Sequence, residues 1–137
     1  MQVADVMTRP LVTIQSDTTV AAAWTIMRER QVRHLPVLDG HRRLIGMLTD
    51  HDLRRVVLGR CEREGPDELR ALLAGLRVDE VMTWAVVTVT PERDIREAAR
   101  MMRDYEVGGL AVVSEDKVVG ILTATDLIRA VVGSPLP

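Results

Sequence analysis

The sequence predicts an α/β (α+β) fold in which two copies of one βαββα unit form small sheets flanked by helices. The first observation is an internal repeat: VADVMT at residues 3–8 recurs as VDEVMT at residues 78–83, and LIGMLTDHDL at residues 44–53 recurs as VVGILTATDL at residues 118–127. The second is the order of patterns inside each copy, where runs rich in β-branched residues alternate with apolar residues at helical spacing. Because the matches keep the same order with a single one-residue gap, a tandem duplication explains both observations.

The repeats divide the chain into a first copy at residues 1–58, a linker at residues 59–77 and a second copy at residues 78–137. Within the linker, Pro66 suits the first turn of a helix and Gly75 suits its end, so a short helix is predicted between them. The predicted packing face of this helix consists of Leu69, Leu72 and Leu73.

Each copy begins with an extended run, LVTI at residues 11–14 and VVTV at residues 86–89, whose β-branched residues favour a strand. An amphipathic helix follows. Thr19 and Asp94 are its predicted N-caps, because their side chains can accept a hydrogen bond from the first helical turn. The apolar positions of the two helices lie at helical spacing, and they include several methionines, which we assign to the core.

Two further apolar runs in each copy, HLPVL with LIGMLT and GLAVV with VVGILT, are separated by polar residues 39–43 and 114–117. Two apolar runs joined by a short polar turn predict a β-hairpin. A last helix is predicted to begin near Thr49 in the first copy and near Thr123 in the second, where a strand runs directly into a helical pattern.

Composition excludes several classes of protein. The 18 basic and 20 acidic residues leave a net charge of -2 and aromatic residues make up 2% of the chain, so neither the basic surface nor the stacking platforms of nucleic-acid binders are predicted. No run approaches the roughly 18 apolar residues of a membrane span, and the start does not resemble a secretory signal, so we expect no membrane association and a cytoplasmic location. The single Cys61 permits no internal disulfide and is interpreted as a surface thiol.

Neither a metal site nor a catalytic site is predicted. His51 lies between Asp50 and Asp52, but consecutive residues at a helix start point in different directions, which disfavours a shared metal ion. The sequence contains no recognisable pairing of nucleophile and base, no metal quartet and no Walker loop, so we do not expect an enzyme. Trp84, a large apolar residue in a predicted connection, is interpreted as a subunit contact or a lid.

The turn from strand to helix carries the candidate binding chemistry. In both copies a Thr at the helix start is followed three residues later by an Asp: Thr49 by Asp52, and Thr123 by Asp126. The unpaired N–H groups of a helix N-terminus and a Thr hydroxyl suit a phosphate, and an Asp carboxylate can accept both hydroxyls of a ribose. The same spacing also forms a capping box without any ligand, and one residue can serve both roles.

These motifs, present twice and in order, closely resemble a tandem pair of CBS (cystathionine-β-synthase) domains, or Bateman module. The resemblance covers nearly the whole chain outside the linker. It implies two repeats related by pseudo-two-fold symmetry, with clefts between them that in many members bind AMP, ADP, ATP or another adenosyl compound. It also implies a regulatory protein that requires no cofactor and commonly forms a homodimer.

Carried over residue by residue, the resemblance makes Asp52 and Asp126 the ribose ligands. Thr49 and Thr123 then become the phosphate-side hydroxyls. The apolar wall around adenine and its neighbours is expected at Val12, Ile14, Val32, Leu35, Pro36, Val87, Val89, Val107 and Leu110.

The resemblance also places cationic phosphate contacts at Arg33 and His34. The second copy has Gly108 and Gly109 at these positions, so the two sites are expected to differ. Arg33 can equally be a solvated surface charge, and the site it would serve stays open.

Two functions remain in competition. The leading hypothesis is an adenine-nucleotide sensor whose occupancy changes its affinity for a separate target protein. The alternative is a scaffold that only dimerises and interacts, with its sites empty, since a fold does not settle a function.

Overall fold

The computed structural model describes residues 1–8, 11–59, 65–84 and 86–133. The chain forms two compact units, which we name after the repeat that supplies most of each. The first-repeat unit comprises residues 12–85, and the second-repeat unit comprises residues 1–11 together with residues 86–137. Each unit contains one small sheet and flanking helices, as the sequence predicts.

The elements follow the predicted order, with a one-turn helix added at the start of each repeat and a two-residue strand added after the second of these helices. In chain order they are α1 (Val3–Val6), β1 (Ile14–Gln15), α2 (Val20–Arg30), β2 (His34–Leu38), β3 (Leu44–Thr49), α3 (Asp50–Leu58), α4 (Pro66–Gly75), α5 (Val78–Val81), β4 (Thr83–Trp84), β5 (Thr88–Val89), α6 (Ile95–Tyr105), β6 (Gly109–Ser114), β7 (Lys117–Thr123) and α7 (Ala124–Val132).

The leading segments, which we define as residues 3–8 and residues 78–83, each belong to the unit of the other repeat. The compact units therefore divide the chain differently from the sequence repeats at residues 1–58 and 78–137. Each repeat forms most of its own unit, and a segment of the other repeat completes it.

In the second-repeat unit, backbone hydrogen bonds hold the leading segment at both of its ends. The N–H of Val3 donates to the carbonyl of Arg93 at 2.8 Å, and the N–H of Thr8 donates to the carbonyl of Ile121 at 2.8 Å. The segment thus contacts both the start of α6 and the edge of β7.

The first-repeat unit repeats this arrangement. The N–H of Val78 donates to the carbonyl of Thr18 at 2.8 Å. Thr83 in β4 then pairs with Met47 in β3, in an antiparallel ladder. The sheet of this unit consequently has the strand order β1-β2-β3-β4, while the second-repeat sheet has the order β5-β6-β7.

The first strand of each repeat is shorter than predicted. In place of residues 11–14 the strand is Ile14–Gln15, and in place of residues 86–89 it is Thr88–Val89. Both pair in parallel with the following strand of the same repeat, a pairing that requires the crossover helices α2 and α6. Because each parallel ladder spans two residues, the preceding β-branched residues are not assigned to a strand.

Both predicted hairpins are confirmed, and their turns differ. In the first, the Asp39 carboxylate accepts the N–H of His41 at 2.8 Å and the N–H of Arg43 at 2.9 Å. These bonds, that from Arg43 most of all, lower the pKa of Asp39. In the second, Glu115 and Asp116 have φ values of 51° and 64°, the left-handed pair that suits a two-residue hairpin turn.

The predicted N-caps are also confirmed. Oγ1 of Thr19 accepts the N–H of Ala22 at 3.1 Å, and Oδ1 of Asp94 accepts the N–H of Arg96 at 2.7 Å. The linker helix α4 begins and ends at the predicted Pro and Gly, and its Leu73 packs against the first-repeat core.

Each unit has its own aliphatic core. The helix methionines Met27 and Met102 are 6% and 7% exposed, which confirms their core assignment. The first-repeat core contains Ile14, Val20, Ala23, Met27, Leu35, Val37, Leu48, Leu53, Val78 and Met82. The second-repeat core contains Val3, Met7, Val89, Ala98, Met102, Leu110, Val112 and Leu122.

A glycine in each sheet provides room for the methionine of a leading segment. A Cβ at Gly46 would lie 2.4 Å from Sδ of Met82 and 3.0 Å from the carbonyl oxygen of Thr83. A Cβ at Gly120 would lie 2.7 Å from Sδ of Met7. These distances are too short for a side chain, so the repeated Gly and the repeated Met of VMT form one packing arrangement.

We predict that Gly46→Ala lowers the free energy of unfolding by about 1–3 kcal/mol, because the site is already filled. Gly120→Ala should cost less, since the three nearest atoms there all belong to the flexible side chain of Met7, whereas a Cβ at Gly46 also meets the backbone carbonyl of Thr83. Urea denaturation measures both effects. Gly40→Ala is the control, because a Cβ there meets nothing within 4 Å. Equal midpoints for Gly46→Ala and the control would contradict the packing.

Candidate functional site

In the first-repeat unit, Thr49 and Asp52 form a capping box at the start of α3. The N–H of Asp52 donates to Oγ1 of Thr49 at 3.2 Å. In return, Oδ2 of Asp52 accepts the N–H of Thr49 at 2.9 Å and its hydroxyl at 3.2 Å. Asp52 is only 3% exposed. Its Oδ2 atom is therefore committed to the helix start.

Thr123 and Asp126 form the same capping box at the start of α7. The N–H of Asp126 donates to Oγ1 of Thr123 at 3.2 Å, and Oδ2 of Asp126 accepts the N–H of Thr123 at 2.9 Å. Asp126 is 5% exposed. The capping interpretation is thus realised in both units, and a ligand interpretation depends on the second oxygen of each carboxylate.

Each carboxylate also accepts a hydroxyl from the leading segment of the other repeat. The Thr83 hydroxyl donates to Oδ1 of Asp52 at 3.4 Å. The Thr8 hydroxyl lies 3.2 Å from Oδ1 and 3.1 Å from Oδ2 of Asp126. Sequence reasoning missed both threonines as site residues. The signal that could have identified them is the VMT motif, whose Thr recurs without a local role.

An arginine one turn further along each helix faces the same carboxylate. Arg55 donates to Oδ1 of Asp52, and Nη1 of Arg129 lies 4.0 Å from Oδ1 of Asp126. Both arginine side chains are 63% exposed, so each can turn into solvent at little cost in stability. At Asp52 the groups around Oδ1 are therefore more easily moved than those around Oδ2. At Asp126 the Thr8 hydroxyl lies near both oxygens, and the backbone N–H of the capping threonine is the bond that holds Oδ2 to the helix start.

The predicted apolar wall separates into two groups by burial. Leu35 and Leu110 are 0% exposed, and their side chains are core contacts. Ile14, Pro36 and Val89 are also buried. The partly exposed members, which a ligand could reach without opening a core, are Val12, Val32, Val87 and Val107.

The predicted cationic residues lie beside the first capping box. The N–H of Asp50 donates to the carbonyl of Arg33 at 3.1 Å, and His34 pairs in register with Thr49 across the hairpin. The side chain of Arg33 is exposed, whereas His34 is half-buried. Backbone pairing therefore holds both residues next to the candidate site.

The second-repeat unit keeps this backbone arrangement without the cations. The N–H of Ala124 donates to the carbonyl of Gly108 at 3.0 Å, and Gly109 pairs in register with Thr123. The two candidate sites consequently share their main-chain geometry and differ in side-chain charge.

A groove of about 260 Å³ lies in the first-repeat unit beside the start of α3. Its rim includes the ion pair between Asp50 and Arg54, whose atoms are 3.4 Å apart. Of the predicted site residues, Val32 lines it. The lining consists of Trp24, Met27, Arg28, Val32, Asp50, Leu53 and Arg54.

Other sequence interpretations concern metals, membranes and single residues. Among the residues that the structure describes, no group of three or more His, Cys, Asp and Glu side chains could hold a metal ion. Over those same residues, no helix has the length and apolar character needed to cross a membrane. Trp84 is 57% exposed in β4, and Cys61 lies outside the described residues.

Comparison with known proteins identifies the repeats. Residues 3–59 and 78–133 each match the family model of the CBS domain. A CBS domain-containing protein of Dictyostelium discoideum is 32% identical over 92% of this chain and 88% of its own length. By contrast, the chain spans about a quarter of the first curated relatives, such as homoserine O-acetyltransferase of Methanohalobium evestigatum, which is 26% identical over 94% of this chain and 24% of its own length.

Solved structures agree with the family match. The CBS domain pair of protein MJ0100, in complex with 5′-methylthioadenosine and S-adenosyl-L-methionine, is 27% identical with a TM-score of 0.82 over 97% of each chain. CBSX2, in complex with AMP, is 28% identical with a TM-score of 0.77 over 96% of each chain. The chain therefore belongs to the CBS domain family and carries two CBS domains in tandem.

Proposed function

We propose that this chain is a regulatory sensor that binds an adenosyl ligand, AMP, ADP, ATP or a related compound, at Asp52 and at Asp126. The observation that carries the proposal is the division of labour within each carboxylate. In both residues Oδ2 accepts the backbone N–H of the helix start, while Oδ1 faces an exposed arginine and a threonine hydroxyl from outside the capping box. In Asp126 that hydroxyl also lies 3.1 Å from Oδ2. One Asp can thus cap its helix and still accept a ribose hydroxyl.

Other groups of the proposed site suit the phosphate of such a ligand. The start of a helix carries about half a positive charge, which favours a phosphate near Thr49 and Thr123. Arg33 adds an exposed cation in the first-repeat unit, and Gly108 leaves that position without charge in the second. The two sites are therefore proposed to differ in preference, with phosphorylated ligands favouring Asp52.

The compounds bound by similar structures support this ligand class. AMP occupies CBSX2, and 5′-methylthioadenosine and S-adenosyl-L-methionine occupy the protein MJ0100 pair. These three compounds share adenine and a ribose with vicinal hydroxyls, whereas only AMP carries a phosphate. The shared diol is what a carboxylate can recognise.

We predict that AMP binds with a measurable heat and that 2′-deoxy-AMP binds at least tenfold more weakly, because a hydrogen bond to a charged group contributes about 1.5–3 kcal/mol. Isothermal titration calorimetry on the full chain measures both. At 100 times its dissociation constant, AMP should also stabilise the fold by about 2.7 kcal/mol.

Asp52→Asn and Asp126→Asn should each remove one of the two proposed binding sites. The reason is that an amide nitrogen cannot accept a hydrogen bond from a ribose hydroxyl. Asn is preferred to Ala here, since Ala would leave several donors around a buried position without an acceptor. Asp17→Asn, an exposed position in the first-repeat unit, is the matched control. Equal binding of AMP and 2′-deoxy-AMP would refute the carboxylate assignment, and no binding of any adenosyl compound would favour the scaffold.

The proposed sensor is regulatory, not catalytic, and acts on a separate protein. If ligand binding changes the affinity for that protein by some factor, the protein must change the affinity for the ligand by the same factor. This reciprocal change in affinity distinguishes a regulated target from a protein that binds the chain independently of the ligand. The cytoplasmic location stays a prediction.

We also propose that the chain forms a homodimer through α7. Ile128, Val131 and Val132 are 62%, 83% and 66% exposed, and their spacing puts them on one helix face. Exposed apolar side chains grouped in this way mark interaction surfaces. The same face of a second copy is the proposed partner, since an uncharged face is complementary to itself in a two-fold pair. In α3 the position matching Ile128 is Arg54, which would repel its own copy.

We predict that sedimentation equilibrium shows a dimer for the unmodified chain and a monomer for Ile128→Glu, because the substitution buries two unpaired carboxylates at the interface. Gln31→Glu introduces the same charge at the exposed end of α2 and should remain dimeric. A monomeric unmodified chain, or a dimeric Ile128→Glu, would rule out this interface.

A further inference from the structure

Thr8 and Thr83 occupy equivalent and unusual positions. Both side chains are exposed, yet each hydroxyl donates to a carboxylate that is almost wholly buried. Each also lies within three residues of a point where the chain passes from one compact unit to the other, after residue 11 and after residue 85. The two hydroxyls therefore lie close in sequence to the two points where the chain changes unit.

The acceptor positions of Asp52 are already filled. An ionised carboxylate offers about four lone-pair positions. Oδ2 accepts both donors of Thr49, and Oδ1 accepts Thr83 and Arg55. A ligand that brings two hydroxyl donors must displace two of these groups. Those outside the capping box can leave without unwinding the start of α3.

We propose that the vicinal diol of the ligand replaces the Thr83 hydroxyl on Asp52 and the Thr8 hydroxyl on Asp126, so that occupancy releases the end of each leading segment. On Asp126 the reason is position, because the Thr8 hydroxyl lies within 3.2 Å of both oxygens that a diol would contact. This inference rests on the proposed function and adds the step by which occupancy is transmitted. The exposed threonine hydroxyl donates to water when it leaves the carboxylate, so the exchange costs little.

The release is confined to the end of the segment. Met82 remains packed over Gly46, and Val78 remains bonded to Thr18, neither of which depends on the carboxylate. The strand β4 contains only two residues, so the loss of the hydrogen bond from the Thr83 side chain weakens its pairing more than it would weaken that of a longer strand. Trp84, the residue directly after Thr83, reports the change.

The test follows Trp84 in the full chain carrying Trp24→Phe, which leaves one tryptophan, and Asp126→Asn, which leaves the Asp52 site. AMP is titrated while heat and Trp84 emission are recorded in parallel. Both signals should give the same dissociation constant. Adding Thr83→Val should tighten AMP binding about threefold to tenfold, because a competing hydroxyl is gone, and should reduce the emission change.

Thr90→Val, at an exposed threonine outside the candidate sites, is the matched control and should change neither signal.

A second experiment, by hydrogen exchange, needs no ligand. The Thr8 amide donates to the carbonyl of Ile121, so its hydrogen exchange reports how firmly that segment end is held. Thr8→Val and Asp126→Asn, each in the otherwise unmodified chain, should raise this exchange rate at least threefold.

The outcomes separate the two proposals. Heat without an emission change, or weaker AMP binding in Thr83→Val, would overturn the inference and leave the proposed function in place. Unchanged exchange at Thr8 in both variants would overturn the inference without reference to any ligand. No heat from AMP in the chain that retains Asp52 and Thr83 would overturn the AMP assignment at Asp52, and the inference with it.

Discussion

Asp52 and Asp126 are 3% and 5% exposed, and a carboxylate removed from water to this degree has to be met by several donors. The helix start supplies some of them, and the leading segment of the other repeat supplies another. Each repeat must therefore contribute its leading segment to the unit of the other repeat to satisfy the carboxylate there. The room that Gly46 and Gly120 leave for methionine follows from this arrangement, because the segment has to lie close against the sheet to bring its hydroxyl within reach.

Much of the fold could be predicted because it depends on residues close together in sequence. Thr19 and Asp94 cap their helices through side chains two or three residues away, and the hairpins need only two apolar runs and a turn. The exchange of leading segments could not be predicted from the repeat itself. The two segments share four of their six residues, so the repeat pattern does not indicate which unit each one completes.

The candidate site was predictable in residue type and not in atomic role. The Thr-x-x-Asp pattern allowed a capping box, a ribose ligand or both, since sequence spacing does not distinguish the two oxygens of a carboxylate. The structure assigns Oδ2 to the cap in both units and leaves Oδ1 beside an exposed arginine and an exposed threonine, and the Thr8 hydroxyl also lies near Oδ2 of Asp126. The complete burial of Leu35 and Leu110 likewise could not be predicted from the sequence, because a strand that lines a site and a strand that fills a core carry the same apolar residues.

The hydrogen bond between Thr8 and Asp126 joins residues 118 positions apart in the chain. A ribosome releases residues in order, so the first-repeat unit gains its last strand while much of the second repeat is still unmade. The leading segment of the first repeat, with the apolar Val3 and Met7, must wait in solvent until Ile121 and Asp126 have emerged. Contacts over such separations slow folding. The second-repeat unit is consequently the later of the two units to close, and the leading segment of the first repeat is the one that stays exposed longest before it is packed.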